Sequence, residues 1–139
     1  STDADFIVKL IDVMPDALPA PDYDGSKPET RRPPMAGYQM LVRGEIMRGR
    51  YRNSFEQPEA FEPYKITEVS YKLPDVAHVF QKGHRIMVQV QSSWFPLADR
   101  NPQQFVDIYQ CSESDFVPSE IKIYTSSAYP SRIILPVLR

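Results

Sequence analysis

The sequence predicts an all-β protein built from two packed antiparallel sheets, and three observations point there. Fourteen prolines are scattered from Pro15 to Pro136, leaving almost no long window for a helix interior, where each would cost about 3 kcal/mol. Several short segments alternate apolar and polar side chains with the period of two that a half-buried strand requires. Neither a strand-helix-strand rhythm nor an internal repeat is visible, which argues against parallel α/β architectures. At 139 residues, 42% hydrophobic and 24% charged, the chain suits one folded domain with a genuine apolar core.

The elements follow in chain order. Phe6 to Val13, FIVKLIDV, has Lys9 and Asp12 as its only charges and reads as a strand covered on much of both faces, stopped by Pro15. Asp16 to Pro34 holds Pro, Asp, Gly and Lys with little apolar content and reads as a long surface excursion. Tyr38 to Ile46 alternates as a strand, with Gly44 marking a bulge or a close backbone approach. Arg48, Arg50 and Arg52 recur every second residue, so in an extended chain they would share one face while Gly49 and Tyr51 take the other. Lys65 to Tyr71 alternates again, Pro74 to Phe80 forms a turn or one short helical turn, and Gln81-Lys82-Gly83 makes a tight connection. His84 to Ser92 is the clearest strand, with Ile86, Val88 and Val90 inward and Arg85, Met87, Gln89 and Gln91 outward. Phe105 to Tyr109, Glu120 to Thr125 and Arg132 to Leu138 complete a set of six to eight strands.

The chemistry is mostly negative. G-x-S-x-G, H-E-x-x-H, C-x-x-C, G-x-G-x-x-G and the Walker phosphate loop are all absent. His84 and Ser92 lie about 26 Å apart along an extended strand, far beyond proton-transfer reach. Two histidines and Cys111, separated by long intervals, make no metal-ligand pattern, and one cysteine forms no internal disulfide. The formal charge of -2 supplies no field that would recruit nucleic acid or anionic lipid. No apolar run reaches the roughly 20 residues of a membrane helix. The arginine row could form a minimal phosphate groove, but Glu45, Glu56, Glu59 and Glu62 surround it, which favours a solvated or salt-bridged face. The loop SSWFPLADRNPQ carries Trp94, Phe95, Asp99, Arg100 and Asn101. Its aromatics fit a ligand wall, an aromatic plug over the end of a sandwich, or a contact with another domain, and the last is preferred.

Four segments taken in order, STDADFIVKLIDVMPD, GYQMLVRGEIMRGRYRNSFEQPEAF, FQKGHRIMVQVQSSWFPLADRNPQ and YPSRIILPVL, carry a family resemblance. The chain resembles the C-terminal jelly-roll domain of the X-Pro dipeptidyl-peptidase, cocaine esterase and α-amino acid ester hydrolase family, which also includes glutaryl-7-aminocephalosporanic acid acylases. The resemblance implies a galactose-binding-domain-like jelly-roll β-sandwich spanning residues 1–139, with a catalytic α/β-hydrolase domain expected upstream in the same polypeptide. It implies a serine hydrolase acting by acyl transfer to water on α-amino acid esters, β-lactam amides or X-Pro peptides, without a cofactor or metal. No catalytic residue carries over to this segment. Trp94, Phe95, Asp99, Arg100 and Asn101 would act in interdomain support or at the pocket rim, and Arg48, Arg50 and Tyr51 in buried ionic or interface contacts. A complete family sandwich would have strand material before Ser1, so a truncated domain with an unpaired edge is expected, and self-association into a homo-oligomer is consistent with that edge. The compartment stays open: periplasmic or secreted if the parent carries a signal peptide, otherwise cytoplasmic. The competing class is a free-standing carbohydrate-binding or structural assembly module.

Overall fold

The computed structural model describes residues 1–16 and 35–138. Most of the excursion expected over Asp16 to Pro34 lies outside the described residues. The described fold is all-β, a three-stranded antiparallel sheet in the order β2-β1-β3. Strand β1 is Asp5–Val13, β2 is Gln39–Arg48 and β3 is Arg85–Gln91. β1 lies in the middle, which is why its sequence is apolar almost throughout: Ile7, Leu10, Ile11 and Val13 are all buried. Ala4 and Met47 are buried as well.

Pairing is continuous between β1 and β3, from Ile7 with Gln91 to Val13 with Arg85. On the other side, Leu10 pairs with Arg43 but Ile11 with Leu41, so Val42 is the extra residue of a β-bulge. Gly44 is therefore not the bulge. It is the close approach: a Cβ there would stand 2.8 Å from Trp94 Cη2. The connection at Gln81-Lys82-Gly83 is a tight turn, closed by His84 N–H donating to Gln81 O at 3.1 Å with Gly83 at φ +89.

Three expectations are corrected. Lys65 to Tyr71, Phe105 to Tyr109, Glu120 to Thr125 and Arg132 to Leu138 form no strand ladder among the described residues, apart from one isolated bridge between Thr125 and Pro130. Their alternation is suited to a sheet, but a strand exists only where a neighbour supplies cross-strand bonds. Ile86, Val88 and Val90 do share one face of β3, yet they are 55%, 42% and 42% exposed, because nothing described packs over them fully. The arginine row is not extended either. After Arg48 ends β2, Gly49–Tyr51 folds into a 3-10 turn, which sends Arg48, Arg50 and Arg52 to different partners.

Candidate functional site

Two buried polar clusters stand on this frame. The first joins the N-terminal segment, the 3-10 turn and the end of the SSWFPLADRNPQ loop. Arg50 places Nη2 2.7 Å and Nε 2.8 Å from the same Asp3 oxygen, Oδ2, both side chains being buried. Asn101 Nδ2 donates to Asp3 Oδ2 at 3.0 Å and to Asp5 Oδ1 at 2.8 Å, while its Oδ1 accepts from Gln103 N–H. Arg48 Nε lies 3.6 Å from Asp5 Oδ1. The Arg50 guanidinium also covers the Phe105 ring at 4.9 Å. Burial pushes the Asp5 carboxyl above its ordinary value, with the neighbouring Asp3 adding to it; the Asn101 hydrogen bond and the two arginines offset this only in part.

The turn that delivers Arg50 is possible because residue 49 is glycine. A Cβ there would lie 2.6 Å from Ala4 O and collide with the Phe61 ring. Gly49 N–H donates to Ala4 O, and Phe61 N–H to Thr2 O, tying both flanks to the same segment.

The loop has an inner and an outer side. On the inner side, the Trp94 indole stands on Gly44 with Lys9 Nζ 4.1 Å from its ring centroid, and Asn101 and Pro102 are buried. On the outer side, Phe95 and Leu97 flank Pro96 at 65% and 67% exposure. Asp99 is exposed, and Arg100 sits over Phe116 at 4.7 Å with Glu113 3.6 Å away. Tyr51 stacks on Phe55, with ring centroids 6.2 Å apart. The structure thus brings Arg48, Arg50 and Asn101 into one cluster with Asp3 and Asp5. Trp94, Phe95, Asp99, Arg100 and Tyr51 lie outside it.

The second cluster was not legible as such. Asp12, buried in the middle of the sheet, is bonded by His78 Nε2 at 2.9 Å and by His84 Nδ1 at 2.8 Å, one imidazole to each oxygen. An ionised carboxylate only accepts, so both contacting nitrogens carry hydrogen. Burial pushes the Asp12 carboxyl up, but the hydrogen bonds and charge of the two histidines outweigh it and hold the carboxyl below its ordinary range. The signal for this cluster is an Asp within an apolar strand, together with two histidines that flank a turn. The signal for the first cluster is two aspartates before and at the start of β1. Neither imidazole is hydrogen-bonded to a hydroxyl or thiol, so no nucleophile-base pair exists among the described residues.

The chain is similar to known proteins along its length. Residues 1–134 match the model of the X-Pro dipeptidyl-peptidase C-terminal non-catalytic domain. The cocaine esterase of Rhodococcus sp. (strain MB1 Bresler) is 32% identical over 139 residues, which is all of this chain and 21% of that protein. The crystal structure of an aminopeptidase from a marine sediment Thaumarchaeota archaeon superposes with a TM-score of 0.71 at 46% identity, over 84% of this chain and 18% of that one. An α-amino acid ester hydrolase superposes with a TM-score of 0.70 at 42% identity, over 84% of this chain and 17% of that one. The chain therefore spans about a fifth of the length of each of these relatives.

Proposed function

Because the chain belongs to the X-Pro dipeptidyl-peptidase C-terminal non-catalytic domain family, we propose that it is the accessory β-sandwich of a longer serine hydrolase and braces that enzyme's catalytic α/β-hydrolase domain. The sandwich is a jelly roll in this reading, completed by strands outside residues 1–139. The parent cleaves esters or amides of α-amino acids by acyl transfer through a serine outside this segment. The names of the relatives, a cocaine esterase, an aminopeptidase and an α-amino acid ester hydrolase, all denote cleavage of an ester or peptide bond and support the reading.

The observation that carries the bracing role is the two-sided loop. Its inner side is fastened to the sheet through Trp94 and to two buried aspartates through Asn101, while Phe95 and Leu97 project from its outer side. A rigid loop that exposes two large apolar side chains is a preorganised docking element, since little ordering entropy remains to be lost on contact. Asp99 and Arg100 form its charged rim, and Arg48 and Arg50 support it through the two aspartates that hold Asn101, while Tyr51 stacks on Phe55 apart from it.

The test uses the intact native polypeptide. A fluorophosphonate probe should label one serine outside residues 1–139, and an amino-acid ester should be turned over. Phe95→Ser with Leu97→Ser should lower both the melting temperature and turnover. An unlabelled polypeptide would overturn the hydrolase assignment, and unchanged melting and turnover in the double variant would overturn the bracing role.

A further inference from the structure

The two outer edges of the sheet are not equivalent. The β2 edge is blunted: it carries the Val42 bulge, and Ile46 N–H is capped by Glu45 Oε1 at 2.9 Å. Arg43 extends from the same strand to donate to Asp75 O at 2.8 Å. Bulges and charged side chains are how a sheet keeps further strands from adding. Beyond Arg85 at its first residue, which pairs with Asp16, β3 has none of these devices. Its register with β1 is unbroken, and Ile86, Met87, Val88, Gln89 and Val90 include no charge and no proline. Its far edge has no ladder partner among the described residues. Along one face of it Ile86, Val88 and Val90 stand about half exposed, next to the buried Leu10 that pairs with Val88. A cleft of about 250 Å³ adjoins the Val90–Ser92 end, lined by Phe6 and Val90 against Ser119, Ile121 and Ile123.

We infer that β3 is an acceptor edge and that its occupant is an extended strand of the same polypeptide from outside residues 1–139. The occupant alternates β-branched or other apolar side chains on the side of Val88 and Val90, and it places one of them in the cleft. This rests on the reading of the chain as part of a longer protein. The relatives it matches are about five times its length, so polypeptide is available to supply the strand. A tethered strand also competes at millimolar effective concentration, well ahead of a second copy in dilute solution. Backbone bonds to β3 would supply affinity, and the apolar row would set the register.

Hydrogen exchange on the intact polypeptide tests this residue by residue. Every amide from Ile86 to Val90, including those turned away from β1, should exchange as slowly as the amides of β1, at all protein concentrations. Val88→Lys should lower the melting temperature of the intact polypeptide by roughly 5 °C or more. Fast exchange at alternate amides of β3, or melting unchanged by Val88→Lys, would overturn the inference. Protection that appears only at high concentration together with a dimer mass would overturn it too, in favour of a second copy. A native mass of only 16.0 kDa would sink the parent-enzyme reading itself, whereas a larger labelled hydrolase with an unprotected β3 edge would sink this inference alone.

Discussion

Asp3 and Asp5 sit two residues apart, share Asn101 as a donor and are both buried, yet their charges are balanced differently. Asp3 receives both Nε and Nη2 of Arg50, and among the described residues it is the one carboxylate ion-paired with that buried guanidinium. Removing the Asp3 charge strands that cation, and breaking one side of a buried pair costs about 3–5 kcal/mol. Asp5 faces Arg48 at 3.6 Å, and its carboxyl is held up by burial, so its ionised form is under-compensated. The same substitution should therefore have unequal consequences at neighbouring sites. Asp3→Asn should lower the melting temperature of the intact polypeptide by roughly 10 °C, while Asp5→Asn, which retains an oxygen to accept from Asn101, should stay within about 1 kcal/mol of the parent. Thermal melts of the two variants side by side check this, and equal losses would show that the two carboxylates act as one unit.

At the scale of elements, the loop is anchored through a single glycine. Gly44 lets the Trp94 indole lie against β2 opposite Lys9, so the loop's first anchor depends on a missing Cβ. Gly44→Ala should force the indole off the sheet and cost about 1–3 kcal/mol, the usual penalty for overpacking. In a double-mutant cycle with Trp94→Ala the two losses should fall short of additivity, because removing the indole also removes the clash; additive losses would place Gly44's role elsewhere. The three strands were legible in the sequence because each carries its own alternation or apolar run, and Gly44 was legible as either a bulge or a close approach, of which the structure selects the second. The bulge at Val42 was not, since an inserted residue leaves no mark when Leu41, Val42 and Arg43 all suit a strand. The turn within the arginine row was not legible, because period-two spacing suits a strand as well as a turn, and the deciding contacts, Gly49 against Ala4 O and Phe61, are remote in sequence. Asn101 stood out by the density of its loop, whereas Asp3, its buried partner, lies in a segment with no periodic signal at all. Lys65 to Tyr71 and Glu120 to Thr125 had the pattern of strands without a ladder partner among the described residues. Alternation reports what a segment can bury, and only the remaining chain decides whether it pairs.

For the molecule as a whole, the segment that runs from Lys65 to His84 is fastened to the sheet by two titratable contacts of opposite sense. At one end Tyr71 donates its phenol hydrogen to Phe6 O at 3.0 Å, and at the other Asp12 accepts from His78 and His84. Asp12, held below its ordinary 3.8, contributes stability that is present above that value and is lost as pH falls through its lowered range. Tyr71 is pushed by burial from 10.0 up to about 12, with the charge of Glu45 adding to the shift. An unfolded chain then releases the phenol proton near pH 10.0 while the folded chain still holds it, so the unfolded state binds fewer protons and stability falls as pH rises from there to about 12. Tyr71→Phe keeps the ring but has no proton to release. Urea midpoints of the intact polypeptide, taken in half-unit steps from pH 9 to 12, should decline more steeply in the parent than in Tyr71→Phe. The variant should start lower by the lost hydrogen bond, about 1 kcal/mol, and the gap should close toward pH 12. Parallel declines would mean that the phenol is equally free in the folded and unfolded chains, and that Tyr71 does not fasten the segment.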